Sequence, residues 1–191
     1  MKKVILAIAV LSLVACGGAK KPGIGEKYTV EQLTELNSEK IKEYYSDANI
    51  EEGKGMYEEG TVEKPYTKLY PDTPDELLIT WKDENRTRID DVRFSGNGKW
   101  KSDEGIKVGT SYETLNKLNE KEISFYGFGW DYSGAVMWND GKLEKTNVQV
   151  FLAPENEAAS KFYGDHLIEA SPEEISELDL KVQTVMLIND N

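Results

Sequence analysis

One cysteine in a chain of 191 residues decides how this protein can be held together. A lone thiol closes no disulfide within the chain and builds no multi-cysteine zinc site. Stability must come from a hydrophobic core, and the 176 residues from Cys16 to Asn191 are enough to bury one. The cysteine also stands at a marked place. Lys2 and Lys3 give a basic start, Val4 to Ala15 is an unbroken run of small and apolar residues, and Cys16 follows. That run falls short of the ~20 apolar residues a spanning helix needs. Its layout fits a secretory signal peptide over residues 1–15.

Leu13-Val14-Ala15-Cys16 resembles a bacterial lipobox. The resemblance implies that Cys16 is acylated, with palmitate among its chains, becomes the mature N-terminus and ties the protein to a membrane of the cell envelope. It also implies an outer membrane over an inner one, because Gly17 is not the aspartate associated with inner-membrane retention. One acyl chain contributes roughly 0.8 kcal/mol per buried CH₂ and anchors only marginally, so stable attachment takes more than one. Residues 16–24 then read as the lipidated cysteine and a flexible Gly-rich tether.

The charge excludes some partners. The chain carries −12, and removing residues 1–15 takes away two lysines and no acid, leaving −14. Such a surface repels phosphate backbones, so nucleic acid is not an expected partner. It repels anionic head groups too, which leaves membrane attachment to the lipid. The excess acid also fits plain solubility.

Residues 25–100 are expected to form a first α+β unit. Thr29, with Gln32 three residues on, marks a helix start, followed by Leu33, Leu36 and Ile41 at helical spacing. Asp47 to Gly60 is acidic and Gly-containing, and Thr61 to Pro74 reads as irregular or edge structure. Leu77–Trp81 and Thr87–Phe94 read as strands joined by a loop at Asp83–Arg86. Residues 101–191 are expected to form a second unit. Ser111 with Thr114 starts a helix, and Ile123 to Trp138 is rich in strand formers. Trp138-Asn139-Asp140-Gly141 is a hairpin cue. Val148–Leu152 is a strand, Ser171-Pro172 opens a helix, and Val182–Ile188 is a last strand. The expected fold class is α+β, an antiparallel sheet with helices packed on one face.

An echo links the two units. Leu33, Leu36, Asn37 and Ile41 recur at identical spacing as Leu115, Leu118, Asn119 and Ile123, 82 residues later. Two tandem helix-plus-strands repeats would produce it. So would chance, since Leu-x-x-Leu is common in amphipathic helices. This element order weakly resembles the β-lactamase-inhibitor-protein architecture and the BamE-like envelope proteins. Gly105 to Gly134 is similar to segments of uncharacterised bacterial lipoproteins. Neither resemblance implies an activity.

The densest candidate site is Phe125-Tyr126-Gly127-Phe128-Gly129-Trp130-Asp131-Tyr132-Ser133-Gly134. At strand period, Tyr126, Phe128, Trp130, Tyr132 and Trp138 share one face, and Gly127, Gly129, Asp131, Ser133 and Ala135 the other. A bare glycine face lets a helix approach the sheet closely. The aromatic face suits core packing, and it equally suits an interface, where Tyr and Trp are common anchors. Phe128 is expected in the core; Tyr126, Trp130 and Tyr132 fit either place. Asp131 is expected as a turn aspartate, or as a ligand-orienting acid among the rings.

Other constellations carry less. Asp47, Asn49, Glu51 and Glu58 echo a calcium loop, but Glu52 stands where its sharp-turn glycine belongs. His166, the lone histidine, has no Gly-x-Ser-x-Gly elbow upstream. No phosphate-cradling loop or other cofactor motif appears. The expectation is a lipid-anchored envelope protein that binds another envelope protein or a ligand without catalysis. A carboxylate-dependent hydrolase of envelope glycans or peptides and a calcium-dependent adhesion module are the alternatives.

Overall fold

A computed structural model describes residues 26–190. The expected signal segment and the whole of the expected tether, residues 16–24 with Cys16, lie outside the described residues. The fold is α+β, with eight strands and three short α-helices among the described residues. The strands are β1 (Glu51–Tyr57), β2 (Val62–Leu69), β3 (Leu77–Trp81), β4 (Ile89–Phe94), β5 (Ser124–Phe125), β6 (Val136–Met137), β7 (Val148–Pro154) and β8 (Leu180–Ile188). Six form one antiparallel sheet in the order β1-β2-β3-β4-β8-β7, while β5 and β6 pair separately. The boundary expected at residues 100–101 falls between β4 and the next helix, and the main sheet crosses it. Val92 and Phe94 pair with Leu187 and Val185, joining strands from the two spans.

Alternation sets the buried side of this sheet. Leu77, Ile79 and Trp81 of β3, Val92 and Phe94 of β4, and Val148, Val150 and Leu152 of β7 are buried at every second position. The alternation breaks twice, at bulges. Between β3 and β4 the register shifts at Thr80/Trp81, which returns Ile89 to the buried side three residues before Val92. Between β7 and β8 it shifts at Phe151/Leu152, so Val182 and Val185 are both buried. The helices add Ile41, Leu115 and Leu178 to the same core.

The helices are α1 (Ser38–Tyr44), α2 (Tyr112–Asn119) and α3 (Pro172–Leu178). Each start is set by a side-chain cap. Ser111 Oγ accepts from the Thr114 amide at 3.3 Å. Ser171 and Glu174 form a complete capping box with Pro172 at the first helical position. The expected single helix from Thr29 is instead a 3-10 turn, Val30–Leu33, followed by α1. The reason is local competition. Val30 N–H donates to Lys101 O at 3.1 Å, tying the first turn to a neighbouring segment. Asn37 then caps a new start, its Oδ1 accepting from the Lys40 amide at 3.0 Å.

The echoed asparagines therefore hold different posts. Asn37 begins a helix, whereas Asn119 ends one and is fully buried. Its amide donates to Lys121 O (3.0 Å) and Trp138 O (2.8 Å), and its oxygen accepts from Leu143 N–H (3.0 Å). That knot holds the turn at Asn139 and Asp140, both at positive φ. The chain then enters a 3-10 turn, Lys142–Lys145, before β7 begins.

Candidate functional site

Beyond β5, the segment from Tyr126 to Ala135 leaves strand geometry. The expected long strand is two residues, Ser124–Phe125, followed by single bridges from Tyr126 to Leu167 and from Phe128 to Tyr163. The chain then turns back through residues 129–134. Period two is lost with it. Phe125 and Phe128, three apart, both point inward and stack at 5.8 Å, while Trp130 and Tyr132 point out. Trp138 is buried apart from them, its indole N–H donating to Val148 O at 3.1 Å. Glycine explains the change. A Cβ on Gly127 would lie 2.5 Å from Gly164 O, so a neighbouring loop backbone, not a helix, occupies the space. At Gly134, φ is +71° and a Cβ would stand 1.9 Å from Leu152 O.

Hydrogen bonds fix this loop along its length. Gly127 N–H donates to His166 O (2.9 Å), Phe128 N–H to Phe162 O (2.8 Å) and Gly164 N–H to Phe128 O (3.1 Å). Within the turn, Ser133 N–H donates to Trp130 O (2.9 Å) and Ala135 N–H to Tyr132 O (2.8 Å). Ser133 Oγ accepts from Gly129 N–H at 3.0 Å, and Leu152 N–H reaches in from β7 to Gly134 O at 2.8 Å.

The result is a set of exposed rings on a fixed backbone. Trp130 is 64% exposed and Tyr132 60%. Tyr126 is half-buried, its ring 5.3 Å from that of Tyr132 and tilted 35°. Sequence reasoning missed two members. Tyr163, 48% exposed, packs its ring on Gly129, and Leu167, 46% exposed, bridges Tyr126. Their signal was faint: a Tyr-Gly-Asp-His-Leu segment of no clear period. Asp131, between Trp130 and Tyr132 in the chain, is exposed, and its carboxylate has no hydrogen-bond or ion-pair partner among the described residues. Trp81, Trp100 and Trp138 contrast with Trp130: all are buried, with their indole N–H groups bonded to Thr67 Oγ1, Asp75 O and Val148 O.

The calcium-loop residues are spread out. Asp47 accepts from Lys27 Nζ at 2.9 and 3.0 Å and from Tyr70 OH at 3.1 Å. Glu58 pairs with Lys64 at 3.0 Å. Strand β1 runs between Asn49 and Glu58 with Glu51 as its first residue, and its seven residues span about 23 Å. No group of three acids, histidines or cysteines among the described residues is placed to hold a metal. His166 is exposed.

A separate groove of about 660 Å³ lies between α2, β5 and α3, lined by Tyr112, Asn116, Ile123, Asn139, Ile168 and Ile175 among others. Three of its polar side chains are already engaged. Asn116 Oδ1 accepts from Ile123 N–H (2.8 Å), Tyr112 OH donates to Ile123 O (3.2 Å), and Asn139 Nδ2 donates to Ser124 Oγ (2.9 Å). The Glu113 and Glu122 carboxylates on its lining have no hydrogen-bond or ion-pair partner among the described residues, but the groove presents no ring as exposed as Trp130 or Tyr132. The aromatic surface is the better candidate.

Among the described residues no helix is long and apolar enough to cross a membrane. No family model matches the chain. No curated protein matches it. Among solved structures, this chain is similar to the uncharacterized protein yfeY of Escherichia coli, with a TM-score of 0.49 and 13% identity over 82% of this chain and 90% of that one.

Proposed function

We propose that this protein is a lipid-anchored component of a bacterial envelope that works by contact, using the aromatic surface of Tyr126, Trp130, Tyr132, Tyr163 and Leu167. The anchor is Cys16, on an outer membrane, and it rests on the lipobox-like Leu13-Val14-Ala15-Cys16. The contact surface rests on one observation: two large aromatic side chains, more than half exposed, stand on a loop whose backbone is hydrogen-bonded within its own turn, to the 162–167 loop and to β7. Leaving such area in water costs free energy that packing elsewhere would recover. A fixed backbone also removes most of the ordering cost of binding.

Two experiments test the two halves. Feeding the native host an alkynyl fatty acid should label the protein, and Cys16→Ser should abolish the label; an unlabelled wild type refutes the anchor. For the surface, the double variant Trp130→Ala/Tyr132→Ala should melt within about 2 °C of wild type, since the lost contacts are mostly to solvent. Its capture of partners by crosslinkers placed beside Trp130 in cells should be lost. A large drop in melting temperature would return both rings to the core.

A further inference from the structure

Rings and hydrogen-bonding groups alternate on the aromatic surface. One segment reads Trp130-Asp131-Tyr132-Ser133, the other Tyr163-Gly164-Asp165-His166-Leu167. The carboxylates of Asp131 and Asp165 and the imidazole of His166 are exposed, with no hydrogen-bond or ion-pair partner among the described residues. Residues 126–135 and 163–167 contain no lysine or arginine. Lys161, just before the second segment, is engaged with Glu174 and lies 5.1 Å from the Phe162 ring centroid.

Charge and spacing select among partners. A phosphorylated or sulfated polymer would meet carboxylates and no free cation. An anionic bilayer would be repelled in the same way. The core of a protein interface is depleted of charge, whereas here an exposed carboxylate, Asp131, separates Trp130 from Tyr132 in the chain and another, Asp165, follows Tyr163 by two residues. A neutral sugar chain meets both requirements. The C–H face of a pyranose is apolar and flat, and lies against an aromatic ring. Its edge carries hydroxyls, which donate to carboxylates; adjacent hydroxyls match the two oxygens of one carboxylate.

We propose that this surface binds a neutral glycan chain, with sugar faces stacked on Trp130, Tyr132 and Tyr163 and sugar hydroxyls bonded to Asp131, Asp165 and His166. The proposal rests on the reading of the surface as a contact site, and names what it contacts. The fixed loop supports it, since rings already held in place lose little freedom on stacking.

The test uses the full-length protein in neutral detergent and two probes, the β-1,4-linked tetramers of N-acetylglucosamine and of glucose. Trp130 is the reporter, because the other three tryptophans are at most 6% exposed. Either tetramer at millimolar concentration should shift the emission to the blue, saturably, and protect Trp130 from iodide quenching. By calorimetry, Tyr132→Ala and Asp131→Asn should each weaken binding about tenfold with the melting temperature unchanged. No binding of either tetramer overturns the proposal. So does a blue shift seen only with phosphatidylcholine vesicles, which would make the surface a membrane contact. If sugars fail while crosslinking beside Trp130 still captures a protein, the contact site stands and the glycan does not.

Discussion

Glu31 should make this protein less stable as the solution becomes less acidic, and Glu31→Gln should remove the effect. The residue sits in the 3-10 turn Val30–Leu33, half-buried, with Asp103 and Glu104 nearby. Its Oε2 accepts from the Asp103 amide at 2.9 Å, while its Oε1 is buried without a partner. Burial, reinforced by the two acids, raises its pKa from 4.5 to about 7. Between those values the folded chain holds a proton that the unfolded chain has released, so stability falls as pH rises from about 4.5 to about 7 and is level above. The full shift corresponds to roughly 3 kcal/mol at 1.36 kcal/mol per unit; solvent screening of a half-buried group reduces this to about 1.5 kcal/mol. Glutamine keeps the acceptor for Asp103 and carries no charge. Urea unfolding followed by tryptophan fluorescence should find wild type and variant equal near pH 4.5, where both side chains are neutral when folded. Near pH 8 the variant should be ahead by about 1.5 kcal/mol with an unchanged urea slope. An equal difference at both pH values would mean that the charge of Glu31 is not what destabilises the folded state.

Three further outcomes follow from the geometry. Asn119→Ala strands Lys121 O, Trp138 O and Leu143 N–H, and should cost about 3 kcal/mol in urea unfolding. Gly134→Ala drives a Cβ into Leu152 O from a backbone at φ +71°, and should cost about 3 kcal/mol or more; a neutral result would show that the loop can move away from β7. Excess calcium or chelator should leave the melting temperature unmoved, because Asp47 and Glu58 already have lysine partners and β1 separates them.

Much of the main sheet was legible because its strands carry β-branched and aromatic residues at the spacing a strand requires. Leu77–Trp81 read as a strand matches β3 residue for residue. Even the bulges leave a trace. The three-residue spacings Ile89 to Val92 and Val182 to Val185 cannot both face one side of a regular strand, and each marks a register shift. Strand β1 left no such trace. It reads Glu-Glu-Gly-Lys-Gly-Met-Tyr, without a β-branched residue. It is held by pairing with β2 and by Tyr66, whose ring lies over Gly53. That information sits in the partner strand and in no local pattern.

The aromatic segment was legible in content and illegible in shape, for a physical reason. Period-two reading assumes a continuous ladder, and a ladder needs partners on at least one side. Here the partner β6 supplies two residues, and the rest of the pairing goes to the loop around Tyr163 to Leu167, some 35 residues downstream. Gly127 admits that loop's backbone, and Gly134 lets the chain turn under β7. The glycines thus act as contact points for other segments, and a contact made so far along the chain has no signature at the site itself. The same economy fixes what is exposed. Once Phe125 and Phe128 fill the inward positions, the turn leaves Trp130 and Tyr132 no core to enter. A side chain placed outside by its own backbone, on a loop bonded to two other segments, is unlike one left outside by loose packing. It is why the exposed rings, and not the larger groove beside α2, are the place where this protein should meet a partner.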